Sequence, residues 1–157
     1  MTLATTGRDG EVHAADVYFA CGEQLDLYFF SDAESQHSRD LHGEERAAVT
    51  IHADRGRWED ILGLQMRGIC RPVADTEEWQ TGWEGYLAKF PFASDLAELI
   101  KVNQLYAFSP RWVRLVDNSR GFGYKREWQL TWIGEGQESG CWEQVSSLGN
   151  QRQDSHG

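Results

Sequence analysis

The sequence predicts a mainly β protein, a small antiparallel barrel with short helices at its edges. Three observations carry this. Short runs rich in β-branched and aromatic residues recur along the chain, each bounded by Gly, Asn or Asp turn signals. Helix signals are confined to three short segments. No Gly-x-Gly-x-x-Gly follows a strand, and Gly121-Phe122-Gly123 falls in a hairpin, so a parallel dinucleotide-binding sheet is not indicated.

The elements follow in order. Residues 2–6 read as a strand, and Gly7-Arg8-Asp9-Gly10 as a turn with two positions that tolerate positive φ. Residues 11–20 are β-like, Cys21-Gly22-Glu23-Gln24 is a second turn, and the aromatic run 25–31 (LDLYFFS) is a strand. The first 31 residues thus predict a meander of three strands. Ser31, Asp32 and Ser35 are all good N-caps, and Ser31-x-x-Glu34 fits a capping box. A short helix over 35–43 follows, with Leu41 on its buried face and Gly43 as its stop. Residues 46–52 (RAAVTIH) form a fourth strand, 54–58 a loop, and 61–73 a long strand with Gly63 and Gly68 at bulges or close backbone approaches.

Asp75-x-x-Glu78 opens a helix that carries Trp79, Trp83, Tyr86 and Leu87 at spacings of three and four. Phe90-Pro91 breaks it, and Ser94 is expected to cap a short helix through Asn103. Residues 105–116 are a strand bent at Pro110, Asn118-Ser119-Arg120-Gly121 a turn, and 124–133 the last strand. From 134 to 157 the chain turns polar and lacks the apolar content to offset its ordering entropy. One domain over 1–133 and a flexible polar tail over 134–157 are expected. No internal repeat is visible.

Composition narrows the function classes. The 157 residues are 40% apolar, the proportion of a globular protein. Twenty-five Asp and Glu against 15 Lys and Arg leave a net charge of −10. Such a surface repels phosphate backbones and anionic headgroups, so nucleic acid and membranes are not expected partners. No apolar run is long enough to span a bilayer, and the N-terminus lacks the pattern of a secretory signal. Three widely spaced cysteines without a Cys-x-x-Cys argue against a disulfide framework or a zinc knuckle, and a cytoplasmic location is expected.

The most informative block is FFSDAESQHSRDL, residues 29–41, where a strand runs through a Ser/Asp-rich cap into a helix. N–H groups at a helix start carry partial positive charge and favour an anion. Ser31, Ser35, Gln36, His37 and Arg39 could donate to one. Equally, Ser31 and Asp32 could only cap the helix, and Asp32 and Glu34 would oppose an anion.

Other candidates carry less. His37 and His42 are five apart, no His-Glu-x-x-His occurs, and no metal site is expected. His13 and His52 on strands read as structural histidines. No Gly-x-Ser-x-Gly elbow is present. Glu44-Glu45 and Glu77-Glu78 read as solvated helix faces, and Lys125-Arg126 is too short a basic run for nucleic acid. The Trp79/Trp83/Tyr86 stripe is either packing or a ligand wall.

The 29–41 block resembles the flavin-phosphate segment of the pyridoxamine 5'-phosphate oxidase-like, FMN-binding split-barrel superfamily. There the pattern is aromatic–aromatic–Ser/Thr–Asp/Asn–x–x–Ser–x–Lys/His–x–Arg–x–Leu, and Phe29, Phe30, Ser31, Asp32, Ser35, His37, Arg39 and Leu41 fall in step with it. Leu3-Ala4-Thr5-Thr6-Gly7-x-Asp9-Gly10 with His13-Ala14-Ala15 is similar to the family's first hairpin. Arg46 to Ile51 and Leu64-Gln65-x-x-Gly68 match later strands. Trp112 with Asp117-Asn118-Ser119-x-Gly121-Phe122-Gly123 resembles the C-terminal end of one uncharacterised subgroup. The likeness covers residues 2–132.

This resemblance implies a six-stranded antiparallel split barrel and a homodimer with FMN in grooves at its interface. Ala14, Ala15, Asp16, Val17, Tyr18 and Phe19 would line the isoalloxazine with backbone groups. Phe30, Ser31, Ser35, Gln36 and His37 would surround the phosphate, and Gln65 would reach the same cofactor from the next strand. Trp112, Asn118, Gly121 and Phe122 would close over the ring from the partner chain.

The chain departs from the family where Ala14, Phe19, Gln36 and His37 replace common Lys or Arg residues, and it has no Arg-x-His matching the pyridoxamine-phosphate grip. The implied function is that of an FMN-binding flavoprotein, an oxidoreductase of unknown substrate with no assignable catalytic residue. The alternatives are a non-catalytic haem- or flavin-binding module of the same fold, a deazaflavin protein, or a true pyridoxamine phosphate oxidase.

Overall fold

A computed structural model describes residues 1–54 and 56–130. The expected boundary at 133, the tail over 134–157 and Cys141 lie outside the described residues. Among the described residues eight strands form one antiparallel sheet: β1 (Thr2–Thr6), β2 (Val12–Asp16), β3 (Ala20–Cys21), β4 (Leu27–Ser31), β5 (Arg46–His52), β6 (Leu62–Pro72), β7 (Gln104–Asp117) and β8 (Lys125–Gln129). Their order is β2-β1-β5-β6-β7-β4-β3, with β8 also paired to β7. The helices are α1 (Gln36–Gly43), α2 (Thr76–Lys89) and α3 (Ala97–Lys101).

The expected meander is corrected in part. β1 and β2 do form a hairpin through a turn in which only Gly10 takes a positive φ, of 86°. The next strand does not extend it. β4 pairs with β3 and with the distant β7, because Leu27, Tyr28 and Phe29 are all buried and need cover on both faces.

This topology curls the sheet. β2 and β3 lie at opposite ends of the strand order, yet only Val17, Tyr18 and Phe19 separate them in sequence. Four peptide steps reach at most about 14 Å, so the two edges must face each other across a narrow slit. The result is a barrel with a split, bridged by residues 17–19. The resemblance implies six strands and the residue-by-residue reading seven; among the described residues eight are present, because the 11–20 segment breaks at this bridge.

Leu3, Leu27, Phe29, Val49, Met66, Cys70, Tyr106 and Phe108 fill the interior, and Leu41 of α1 enters it. On the other side of β4 and β7, Tyr28, Phe30, Leu105 and Ala107 meet α2. The Trp79/Trp83/Tyr86 stripe is therefore packing, with Phe30 edge-on to all three at 5.2–6.1 Å. Gly82 permits this approach, since a Cβ there would lie 2.9 Å from Leu105 Cδ2.

Of the three N-cap candidates, Ser35 caps α1 by accepting from Ser38 N at 3.3 Å, because Ser31 still belongs to β4. One cap assignment is corrected. Ser94 does not open α3; it ends a 3₁₀ turn, Pro91–Ser94, and its hydroxyl donates back to Pro91 O. Asp75 caps α2 as expected, accepting from Glu78 N at 2.8 Å. The expected irregularity at Gly68 is present: Arg67 pairs with Trp112 and Gly68 with Pro110, so Arg111 is an extra residue on β7.

Candidate functional site

α1 begins where β4 ends, and the join gathers a set of hydroxyl and imidazole groups. Ser31 Oγ lies 2.6 Å from His37 Nε2 and 3.1 Å from Ser35 Oγ. Ser35 Oγ lies 3.1 Å from the same imidazole nitrogen and donates to Ser38 Oγ at 2.9 Å. The N–H groups of Gln36 and His37 open the helix and find no acceptor among the described residues. Burial lowers the His37 pKa below its ordinary value, against an opposing pull from Asp40. Asp32 is turned to its own loop, accepting from Glu34 N at 2.8 Å. The Tyr106 hydroxyl comes near Ser38 without reaching hydrogen-bonding geometry, and it is a buried polar atom without a partner among the described residues.

A buried carboxylate clamps this helix to the first hairpin. Asp40 accepts from Thr5 Oγ1 at 2.7 Å, from His13 Nδ1 at 2.9 Å and from Gln36 Nε2 at 2.8 Å. Burial alone would raise its pKa; the three donors and the His13 charge outweigh that and hold it below the ordinary carboxyl value. Asp40 thereby fixes α1 against the Thr5–His13 end of the first hairpin, while the β3–β4 register, with Ala20 opposite Tyr28, runs the bridge residues back along β4 toward the α1 start.

The bridge is the second part of the site. The N–H of Val17 bonds Met1 O at 2.9 Å, but Tyr18 and Phe19 make no backbone hydrogen bond among the described residues. Lys89 Nζ lies 3.5 Å above the Phe19 ring, and Tyr18 is edge-on to Phe90 at 5.3 Å. A cleft of about 430 Å³ opens between the bridge and the end of α2.

The remaining expected residues are placed as follows. Ala14 and Asp16 lie exposed on the outer sheet face. Ala15 pairs with Leu3. The Phe30 side chain points to α2, leaving only its backbone near Ser31. The Gln36 side chain is taken by Asp40 and by Arg39 Nη2 at 3.1 Å.

Gln65 lies on β6, the strand next to β5, as expected. Asp16, Thr2, Thr50 and Gln65 are successive cross-strand partners, which puts Gln65 three strands from Asp16, about 14 Å along the same outer face. It accepts from Arg114 Nη1 at 3.2 Å. Trp112 lies beneath the Arg67 guanidinium at 4.3 Å, and eight residues of β7 separate it from the partner of Ser31, a span of about 26 Å. Asn118 is buried, donating to Trp58 O at 2.9 Å and accepting from Gly123 N at 3.0 Å. That hairpin presents Phe122 at 85% exposure against Trp58.

One chain therefore joins the Ser31–His37 cluster to the bridge but holds Gln65, Trp112 and the Asn118–Phe122 hairpin apart from them. Sequence reasoning missed Asp40, Thr5 and Lys89. Asp40 had a signal, since an acid one residue before the buried Leu41 lies on the inward half of α1.

The hydroxyls, the imidazole and the two unbonded amides at the α1 start fit a phosphate-bearing cofactor, and the unpaired bridge backbone fits the polar edge of a flat ring. A family model described as pyridoxamine 5'-phosphate oxidase matches residues 1–117, and the chain belongs to this family. It is similar to a UPF0306 protein of Klebsiella pneumoniae (strain 342), 24% identical over 123 residues that cover 78% of this chain and 80% of the relative.

Among solved structures it is similar to a heme-binding protein from Mycobacterium smegmatis, with a TM-score of 0.67 and 18% identity, covering 82% of this chain and about half, 51%, of that one. It is also similar to a pyridoxamine 5'-phosphate oxidase-related, FMN-binding protein from Nostoc punctiforme, with a TM-score of 0.59 and 15% identity over 92% of this chain and 85% of that one. The fold is thus the split barrel of this family, shared by proteins described as binding heme and proteins described as binding FMN. Among the described residues no helix is long and apolar enough to cross a membrane.

Proposed function

We propose that the chain is an FMN-binding flavoprotein that works as an oxidoreductase on a small substrate, as a homodimer in the cytoplasm. The observation that supports this most is the β4–α1 join, whose anion-binding helix start follows the strand along which three bridge residues with largely unpaired backbone run toward β3. The α1 amides, Ser31, Ser35 and His37 would hold the phosphate. The Tyr18 and Phe19 backbone would meet the ring edge.

FMN, when bound, supplies hydride and electron transfer at its ring. The protein's own part is to hold and orient. α1 would neutralise the phosphate, and the slit walls, Phe19 and Tyr18, would exclude water from the ring. Gln65, Trp112 and the hairpin at Phe122 complete the site from the second chain, because no single chain brings them to Ser31.

Titrating purified protein with FMN and dialysing against buffer tests this reading. Protein that retains a two-band flavin spectrum in a ratio near one per chain supports it; colourless protein overturns it. The Ser31→Ala/His37→Ala double variant should lose about 2–4 kcal/mol of FMN affinity, taking ~1–2 kcal/mol for each lost bond to a charged group.

A second reading has its own observation. His13 donates Nδ1–H to the buried Asp40, which leaves Nε2 free to ligate a metal, the arrangement of a carboxylate-backed iron ligand. A haem-binding module would show one intense Soret band instead, and that band should disappear in His13→Ala.

A further inference from the structure

We propose that the cleft between the 17–19 bridge and the end of α2 is a ligand site for a flat aromatic carboxylate, which on the flavin reading is the substrate. The cleft is lined by Met1, Asp16, Val17, Tyr18, Phe19, Lys89 and Phe90, and its volume of about 430 Å³ suits a one- or two-ring molecule.

Its walls are aromatic and incompletely covered. Phe90 and Phe92 lie 5.9 Å apart, and Tyr18 is edge-on to both, at 5.3 and 6.3 Å. Tyr18 remains 66% and Phe92 50% exposed, so apolar ring surface is presented to solvent beside a pocket rather than spent on packing. Edge and face contacts to a bound ring would bury it.

The polar group is specific. Lys89 reaches over the Phe19 ring at 3.5 Å and makes no salt bridge among the described residues, in a chain with ten more acids than bases. The one carboxylate in the lining, Asp16, is engaged by Thr2 Oγ1 at 2.6 Å. Burial lowers the Lys89 pKa, as an ammonium without a counter-charge should show, and a bound anion would reverse that shift.

The charge chosen is a single one. No arginine lines the cleft, no α-helix begins there, and the Met1 amino group already donates to Val17 O at 3.0 Å, so the forked donors and helix amides that a phosphate dianion calls for are missing. The inference uses the flavin reading only for the word substrate; the binding itself is independent of it.

The test uses the full chain, with and without added FMN, titrated by calorimetry with 2-naphthoate, its neutral analogue 2-naphthol, and phenyl phosphate. Saturable 2-naphthoate binding, about tenfold tighter than either comparison ligand, is expected. Lys89→Gln should cost about tenfold for 2-naphthoate and leave 2-naphthol within about twofold, with Lys89→Arg restoring the carboxylate preference. Absence of saturable 2-naphthoate binding, indifference to Lys89→Gln, or phenyl phosphate binding as tightly as 2-naphthoate each overturn the proposal. Protein that takes 2-naphthoate but no FMN keeps the site and removes the flavin reading; protein that takes FMN but no 2-naphthoate does the reverse.

Discussion

His13 Nδ1 and Asp40 Oδ2 lie 2.9 Å apart, and this contact ties strand β2 to the middle of α1. Its partners give it weight. Asp40 is 3% exposed and receives Thr5 and Gln36 as well, so one carboxylate holds two strands and the first turn of a helix in a fixed relation. A buried charge is tolerated only when its hydrogen bonds are made, and here three donors make them.

Replacing Asp40 with Ala should lower stability by about 2–4 kcal/mol, because Thr5, His13 and Gln36 each lose an acceptor. The loss should depend on pH. The folded pKa of Asp40 is depressed, so its contribution is complete above the ordinary carboxyl value of 3.8 and fades as pH falls through the lower folded value. Denaturant melts at pH 7 and pH 3 check this. An equal gap between wild type and Asp40→Ala at both pH values would mean that the carboxylate charge is not what the site uses.

His37 makes cofactor affinity sensitive to pH. Burial depresses its pKa in the free protein, so it is neutral at pH 7 and Ser31 can donate to Nε2. A phosphate at the α1 start would favour the imidazolium and raise that pKa. Affinity for FMN should therefore tighten as pH falls from 8 toward 6.5, by about three- to tenfold, and His37→Ala should flatten the profile. Quenching of flavin fluorescence measures both. A flat wild-type profile would place the phosphate away from His37.

Gly68 is a packing constraint. A Cβ there would sit 2.9 Å from Pro110 Cα and would press on the Ser109 carbonyl, both backbone. Neither can yield without undoing the bulge that admits Arg111. Gly68→Ala should cost about 2–3 kcal/mol of stability with little direct effect at the Ser31 cluster. Thermal melts and FMN affinity of the surviving folded fraction separate the two effects.

What was legible in the sequence follows from how local each signal is. The run 29–41 declares a strand, a cap and a helix within 13 residues, and the structure keeps all three, with Ser35 the one of three candidate caps that is used. The Trp79/Trp83/Tyr86 spacing fixed one face of α2, and burial against Phe30 followed.

Pairing was not legible in the same way. β4 binds β7 across more than 70 residues, and nothing in LYFFS states which partner covers its second face. Nor did any local pattern show that 17–19 spans the slit, since a β-like run broken for three residues reads like one continuous strand. The Asp40 clamp was hidden for the same reason: its partners lie 35, 27 and four residues away, and only the closed sheet brings them together.

The last prediction concerns assembly. Trp112 and the Asn118–Phe122 hairpin lie about 26 Å or more along β7 from the partner of Ser31, and in the proposed site the second chain would supply them. Asn118 holds that hairpin through Trp58 O and Gly123 N, and it touches neither the Ser31 cluster nor the bridge. Asn118→Ala should cost about 1–3 kcal/mol locally. Because the loosened tip carries Phe122, which packs on Trp58, it should also weaken dimerisation and FMN affinity together, in proportion to each other. Sedimentation equilibrium and FMN titration on the same samples read the two quantities. A wild-type monomer at micromolar concentration that still retains flavin, or an Asn118→Ala protein with a weakened dimer and unchanged FMN affinity, would show that the site is complete within one chain.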